Sequence, residues 1–130
     1  MYDMYQETIL QHYRAPKNFG PLDGAQMMGE ESNPLCGDHI TMRVKTDGTG
    51  RTIEAVRFEG DGCAISVASA SMLTERLAGL SLEEAKRLGR DDVLKQLGIP
   101  LSPARVKCAL TGFVALGKAL HSDGSATAPQ

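Results

Sequence analysis

The segment order predicts an α+β fold, a small antiparallel β-sheet with helices on one side. Three observations carry this. Residues 39–46 and 52–59 each alternate apolar with polar side chains around a glycine-containing turn. Helix-periodic stretches follow them almost to the end of the chain. No internal repeat or linker divides the 130 residues, so one domain accounts for the whole.

Taken in order, residues 3–14 carry Tyr5, Ile9, Leu10 and Tyr13 at helical spacing and predict an amphipathic helix. Ala15-Pro16-Lys17-Asn18-Phe19-Gly20-Pro21 ends it, because proline disfavours helix at the preceding residue. Leu22 to Ser32 has no clear period and reads as loop, with at most a short edge strand. His39 to Thr46 places Ile40, Met42 and Val44 on one face. Asp47-Gly48-Thr49-Gly50 supplies a turn, and Thr52 to Glu59 returns with Val56 and Phe58 sharing a face. Gly60-Asp61-Gly62 is expected to break that strand.

A helix is expected from Ile65 to Ala78, its Ala- and Ser-rich first half allowing close approach to the sheet. Ser81 reads as an N-cap, Asp91 to Leu97 as a short helix closed by Gly98, and Ser102-Pro103 as the start of a final long helix. Val106, Leu110, Phe113, Val114 and Leu120 form its expected buried stripe. Residues 1–121 make the domain, and 122–130 are small, polar and expected to be disordered.

Hydrophobic residues are 42% and charged residues 23%, ordinary for a globular protein, and the net charge of −2 argues against nucleic acid or an anionic membrane as partner. No apolar run approaches the roughly 20 residues that span a bilayer. The first residues are polar and acidic, unlike a signal peptide. Three cysteines cannot all pair within one chain, and reduced thiols in a cytoplasmic protein are the expectation.

Those cysteines carry the chemistry. Cys36 lies in Cys36-Gly37-Asp38, where an extended backbone directs residues i and i+2 to one side, so thiol and carboxylate can converge. The alternative is a buried inert cysteine beside a turn aspartate. Cys63 stands at an expected helix N-terminus, where free N–H groups favour thiolate; it also reads as a small core residue. Cys108 is flanked by Arg105 and Lys107, cations that would hold a thiol ionised or simply form a solvated helix face. All three are expected at element ends or turns. Three thiols and one carboxylate make the four ligands that a tetrahedral metal or a small cluster needs.

Of the histidines, His39 is expected to face away from Asp38, His12 to be ordinary helix surface, and His121 to sit at a helix C-terminus. A Cys–His nucleophile of hydrolase type stays open.

Asn33-Pro34-Leu35-Cys36-Gly37-Asp38, Gly62-Cys63-Ala64-Ile65-Ser66 and Arg105-Val106-Lys107-Cys108-Ala109, with Tyr13-Arg14-Ala15-Pro16-Lys17-Asn18-Phe19-Gly20, resemble the U-type iron–sulfur cluster assembly family of IscU, SufU and the NifU N-terminal domain. The resemblance runs from Tyr5 to Leu120. It implies about three strands packed against helices, with a metal site at one end formed by Cys36, Asp38, Cys63 and Cys108. It implies zinc or a [2Fe-2S] cluster (iron) as the bound species. A cysteine desulfurase and apo iron–sulfur acceptor proteins are the implied partners, and the chain is expected to be a monomer or weak oligomer.

Cys36 matches the persulfide acceptor, and Asp38 would make the cargo labile. IscU members have histidine before the third cysteine; Lys107 stands there, as in SufU members, yet the long SufU insertion between the second and third cysteines is missing. The expected function is therefore a cluster assembly protein, a scaffold more than an enzyme. The alternatives are a zinc-dependent sulfurtransferase and a purely structural zinc-binding domain.

Overall fold

A computed structural model describes residues 2–121 of the chain. The elements run α1 (Tyr2–Arg14), β1 (Met27–Asn33), β2 (Asp38–Thr46), β3 (Ile53–Asp61), α2 (Ala64–Glu75), α3 (Leu82–Lys86), α4 (Arg90–Leu97) and α5 (Pro103–Leu120). The expected α+β architecture is the one observed. The expected tail, 122–130, lies outside the described residues.

The three strands form an antiparallel meander in the order β1-β2-β3. Ile40, Met42 and Val44 of β2 and Val56 and Phe58 of β3 are buried on the face that meets the helices, as their alternation predicts. The outer edge of β3 is not left bare. Gly20 donates its N–H to the Phe58 carbonyl, and the Phe58 N–H donates to the Asn18 carbonyl, so the segment after α1 pairs along that edge.

β1 is the edge strand that the sequence left open before Ser32, and it runs to Asn33. Its sequence, Met-Met-Gly-Glu-Glu-Ser-Asn, has little strand propensity, and tertiary context decides the matter. Seven residues pair with β2, from Met27 opposite Val44 to Asn33 opposite Asp38. Gly29 lets α5 lie directly on the strand: a methyl there would collide with the Ala115 carbonyl and the Ala119 amide.

The strand break expected at Gly60 is corrected. β3 continues to Asp61, with Gly60 opposite Ile40 and Asp61 opposite His39. Gly60 has φ 135°, and a side chain there would run into the His39 carbonyl, so only glycine permits the pairing to continue. Those added residues bring the start of α2 beside the start of β2.

α2 ends at Glu75, short of the expected Ala78. Every residue from Ser66 to Thr74 is buried, so α2 is a central helix and not one with a single covered face. Its hydroxyls are satisfied by carbonyls: Ser69 Oγ donates to Ala109 O at 2.8 Å and Thr74 Oγ1 to Ser71 O at 2.7 Å. Gly112 of α5 fits against Ala70, which sets a close α2–α5 crossing.

Ser81 caps α3 with a capping box to Glu84, Gly98 closes α4 in the left-handed region, and Ser102 caps α5. The buried face of α5 is shifted from the expected stripe. Cys108, Ala109, Leu110, Thr111, Gly112, Ala115, Leu116, Ala119 and Leu120 are covered, while Val106, Phe113 and Val114 are only half-buried. Small residues dominate that face because α2 and β1 both press closely against it.

Candidate metal centre

The β1–β2 hairpin delivers the first two groups. Residues 34–37 form its turn, in which the Asn33 side-chain oxygen accepts the Leu35 N–H at 3.3 Å and the Asn33 carbonyl accepts the Cys36 N–H at 3.2 Å. Gly37 takes a φ of 71°, the left-handed conformation that turns the chain into β2. Cys36 is half-buried at the turn, and its neighbour Leu35 is 73% exposed.

Asp38 follows as the first residue of β2. It is 2% exposed and, among the described residues, the one charged side chain in the buried set. Its Oδ1 accepts the Cys63 N–H at 2.9 Å. Its Oδ2 is buried with no hydrogen-bond partner. A carboxylate oxygen in that condition is costly unless a cation meets it.

Cys108 comes from the second turn of α5 and is fully buried, which corrects its expected place at an element end. Asn33 Nδ2 donates to its Sγ at 3.8 Å. The sulfurs of Cys36 and Cys108, 72 residues apart, are in contact, with a Cα–Cα distance of 6.8 Å. The pairing follows from the fold: α5 lies across β1, and the hairpin tip turns back onto it. The ligand atoms of Cys36, Asp38 and Cys108 all lie within 4.8 Å of one another.

Cys63 is a free cysteine, and its sulfur is not in that group. Its main chain nevertheless adjoins the site through the bond to Asp38, and it occupies the N-cap of α2 without making a side-chain cap. Gly62 is what admits this. A Cβ at Gly62 would stand 2.5 Å from Ser66 Oγ and nearer still to Asp38 Oδ1.

The two cations expected to act on the thiols are both exposed and point to different flanks of α5. Arg105 lines an apolar hollow with Ile9, Ile65 and Leu101. Lys107 lines another, of about 240 Å³, with Glu31, Asn33, Arg90 and Phe113. Neither makes an ion pair among the described residues.

His39 is exposed and bonds Ser32 Oγ at 2.7 Å, away from Asp38 as alternation requires. His12 is not plain helix surface: its Nδ1 meets Ser71 Oγ at 2.6 Å and its Nε2 lies 3.7 Å from Glu75, clamping α1 to α2. No histidine shares the ligand cluster, which leaves a Cys–His nucleophile without support. Asn33 is the site residue that reasoning on residue types missed; its place three residues before Cys36 was the one local signal, and its pairing with Asp38 is set by the β1–β2 register.

This donor set, two sulfurs and one carboxylate oxygen with a third sulfur adjacent, suits zinc or an iron–sulfur centre. The unpartnered Oδ2 of Asp38 fits a cation ligand.

Comparison with known proteins gives one coherent picture. Residues 4–123 match the family model of the NifU-like N-terminal domain. The chain is 34% identical to the zinc-dependent sulfurtransferase SufU of Bacillus subtilis, over 92% of this chain and 91% of that protein. It is 33% identical to the iron–sulfur cluster assembly scaffold protein IscU of Escherichia coli, over 89% and 91%. In structure it resembles a SufU protein of Fervidobacterium islandicum, with TM-score 0.73 and 29% identity over 88% of this chain and 94% of that one.

Proposed function

The chain belongs to the NifU-like N-terminal domain family, and on that premise we propose that it is an iron–sulfur cluster assembly protein that takes up sulfane sulfur on Cys36. The observation that carries the reading is the meeting of Cys36 and Cys108 around a buried carboxylate with one oxygen unbonded. Cys36, Asp38 and Cys108 would hold the metal, with Cys63 completing the set by rotation about its one side-chain torsion. Bound zinc would keep the thiols ionised.

Exposure and position support Cys36 as the acceptor over Cys108: Cys108 is sealed in the core, whereas Cys36, half-buried as Cys63 is, stands at the hairpin tip where Leu35 offers an apolar anchor. The Cys36 thiolate, in the reduced protein, attacks the outer sulfur of a cysteine desulfurase persulfide. A bond forms between Cys36 Sγ and that sulfur, the desulfurase S–S bond breaks, and its cysteine leaves as thiolate with no net oxidation. Arg105 and Lys107, exposed on either flank, would guide docking. Asp38 is a harder ligand than thiolate and favours handover of an iron–sulfur cargo to apo acceptor proteins over storage. Thiol chemistry of this kind belongs in the reducing cytoplasm.

A second reading, sulfur relay on resident zinc without cluster assembly, is favoured by the likeness to the B. subtilis protein and by Lys107. Against it, that alignment spreads 137 positions over 92% of a 130-residue chain, so the relative carries residues that this one lacks.

Anaerobic purification with metal analysis, reconstitution with iron and sulfide, and a desulfurase-dependent persulfide assay test the proposal. Persulfide on Cys36, lost in Cys36→Ser, is expected under both readings; a reconstituted cluster supports the scaffold, and tight zinc without a cluster supports the relay. Zinc bound with no sulfur uptake would reduce the protein to a structural zinc domain.

A further inference from the structure

We propose that the outer edge of β1, with the groove beside it, binds an extended segment of a partner protein by strand addition. The segment carries acidic and apolar side chains on the face turned toward α5. None of the residues that form this surface is a candidate metal ligand, and binding there does not depend on sulfur transfer.

The sheet has one covered edge and one open edge. Asn18 and Gly20 pair along β3, whereas among the described residues no segment pairs with the outer side of β1. Over the seven residues Met27–Asn33 the outward N–H and C=O groups thus have no backbone partner there. Such an edge is a template for another extended chain.

A hollow of about 240 Å³ runs along it, lined by Glu31, Ser32 and Asn33. Side chains alternate between the faces of a strand, so three consecutive lining residues mean that the strand's own edge borders the hollow. Leu110, Phe113 and Val114 of α5 supply the apolar wall. A second hollow, of about 280 Å³, shares Arg90, Phe113 and Val114 with the first and continues it to Lys86 and Leu88. A chain paired with β1 would direct alternate side chains into this groove, which is how strand addition acquires specificity.

Charge selects the occupant. Lys86, Arg90 and Lys107 are exposed along the groove and make no ion pair among the described residues. The carboxylate in the lining, Glu31, is already paired with Lys118. The whole chain carries a net charge of −2, so this positive strip runs against the overall balance. Carboxylates of the incoming segment meet the three cations, and an aliphatic or aromatic side chain between them packs on Phe113 and Val114. Glu30 does not oppose this, because alternation places it on the other face of the sheet.

A second copy of this chain fits less well. β1 paired antiparallel with itself over its full length sets Glu30 opposite Glu30, and like charges directly opposite are destabilising. The groove begins at Asn33, which faces Asp38 across the β1–β2 pair. A segment seated there holds its owner beside the candidate metal centre.

The test uses the reduced full-length protein, purified anaerobically, and a displayed library of random heptapeptides. Selection should enrich peptides with two or more carboxylates around an aliphatic or aromatic residue. A synthetic peptide of the enriched sequence should slow amide exchange in β1. Arg90→Glu and Lys107→Glu each remove an attraction and add a repulsion, so each should weaken binding by about 10-fold, and added salt should weaken it further.

No enrichment, enrichment of basic sequences, or binding indifferent to both charge reversals overturns the proposal. Binding that leaves β1 exchange unchanged overturns it as strand addition. Exchange in β1 that slows with rising protein concentration, without peptide, assigns the edge to a second copy and overturns it too. Persulfide uptake on Cys36 is read in a separate assay, so none of these results bears on sulfur acceptance.

Discussion

Replacing Asp38 with Asn reverses a stability order according to whether metal is present. The Oδ1 of Asp38 accepts the Cys63 N–H, while Oδ2 is buried and unbonded. An unsatisfied buried acceptor costs about 1–3 kcal/mol, and more when charged. Asparagine is the same size, keeps an oxygen for Cys63, and removes the charge. Against that gain, the bond to Cys63 loses its charge assistance, about 1 kcal/mol. The metal-free variant should therefore be about 1 kcal/mol more stable than the wild type.

With zinc present the sign changes. Free zinc at 100 times Kd stabilises the wild type by about 2.7 kcal/mol. An amide nitrogen is not a ligand, and a loss of affinity of about 100-fold removes nearly all of that gain. Urea denaturation in chelator and in buffered zinc, together with competition against a chromophoric chelator, measures both effects. If Asp38→Asn is the less stable protein in chelator, or binds zinc as tightly as the wild type, the reasoning from the orphaned oxygen is wrong.

Three further expectations follow from the packing and the turn chemistry. Gly62→Ala drives a methyl into Asp38 and Ser66, so it should destabilise by about 1–3 kcal/mol and weaken zinc binding together; a shift in the urea midpoint without a change in affinity would separate Gly62 from the site. Gly29→Ala forces α5 off β1 and should cost at least about 1–3 kcal/mol, read as a lowered melting temperature, with early amide exchange in β1 as the local signature.

Asp47 is held below the usual carboxylate range, first by the Thr49 hydroxyl; desolvation opposes this, and smaller contributions from the backbone N–H groups of Thr49, Thr52 and Gly50 reinforce it. A depressed folded value means that its contribution to stability is present above the unfolded pKa, near 3.8, and fades as pH falls through the folded one. Thr49→Ala should raise the Asp47 midpoint toward 3.8 in an NMR titration; an unmoved midpoint would remove the hydroxyl as its main cause.

The parts of the fold legible in the sequence are those with a local period. Ile40, Met42, Val44, Val56 and Phe58 alternate because one face of each strand meets the helices, and the caps at Ser81 and Ser102 are short-range chemistry. For β1 the sequence offered no more than a short edge strand, because its seven residues form a strand only by pairing with β2 under α5. The continuation of β3 through Gly60 was hidden for a related reason: glycine signals a break locally, yet here it admits the His39 carbonyl of a neighbouring strand. The central position of α2 was likewise out of reach, since small polar residues do not reveal which carbonyls will receive them.

For the candidate site, residue chemistry alone pointed to the kind of groups a metal would need: three thiols, and a carboxylate two positions from one of them. That information is local, carried by the identities of the side chains and the short spacing of Cys36 and Asp38. Which groups meet was decided only by tertiary structure. The β1–β2 register sets Asn33 opposite Asp38, α5 crossing β1 brings Cys108 to Cys36, and β3 running on to Asp61 sets the Cys63 amide against the Asp38 carboxylate. The reason is physical: groups separated by 72 residues are brought together by strand register and helix packing, whose energies are spread over the whole core and leave no mark on the residues beside each cysteine.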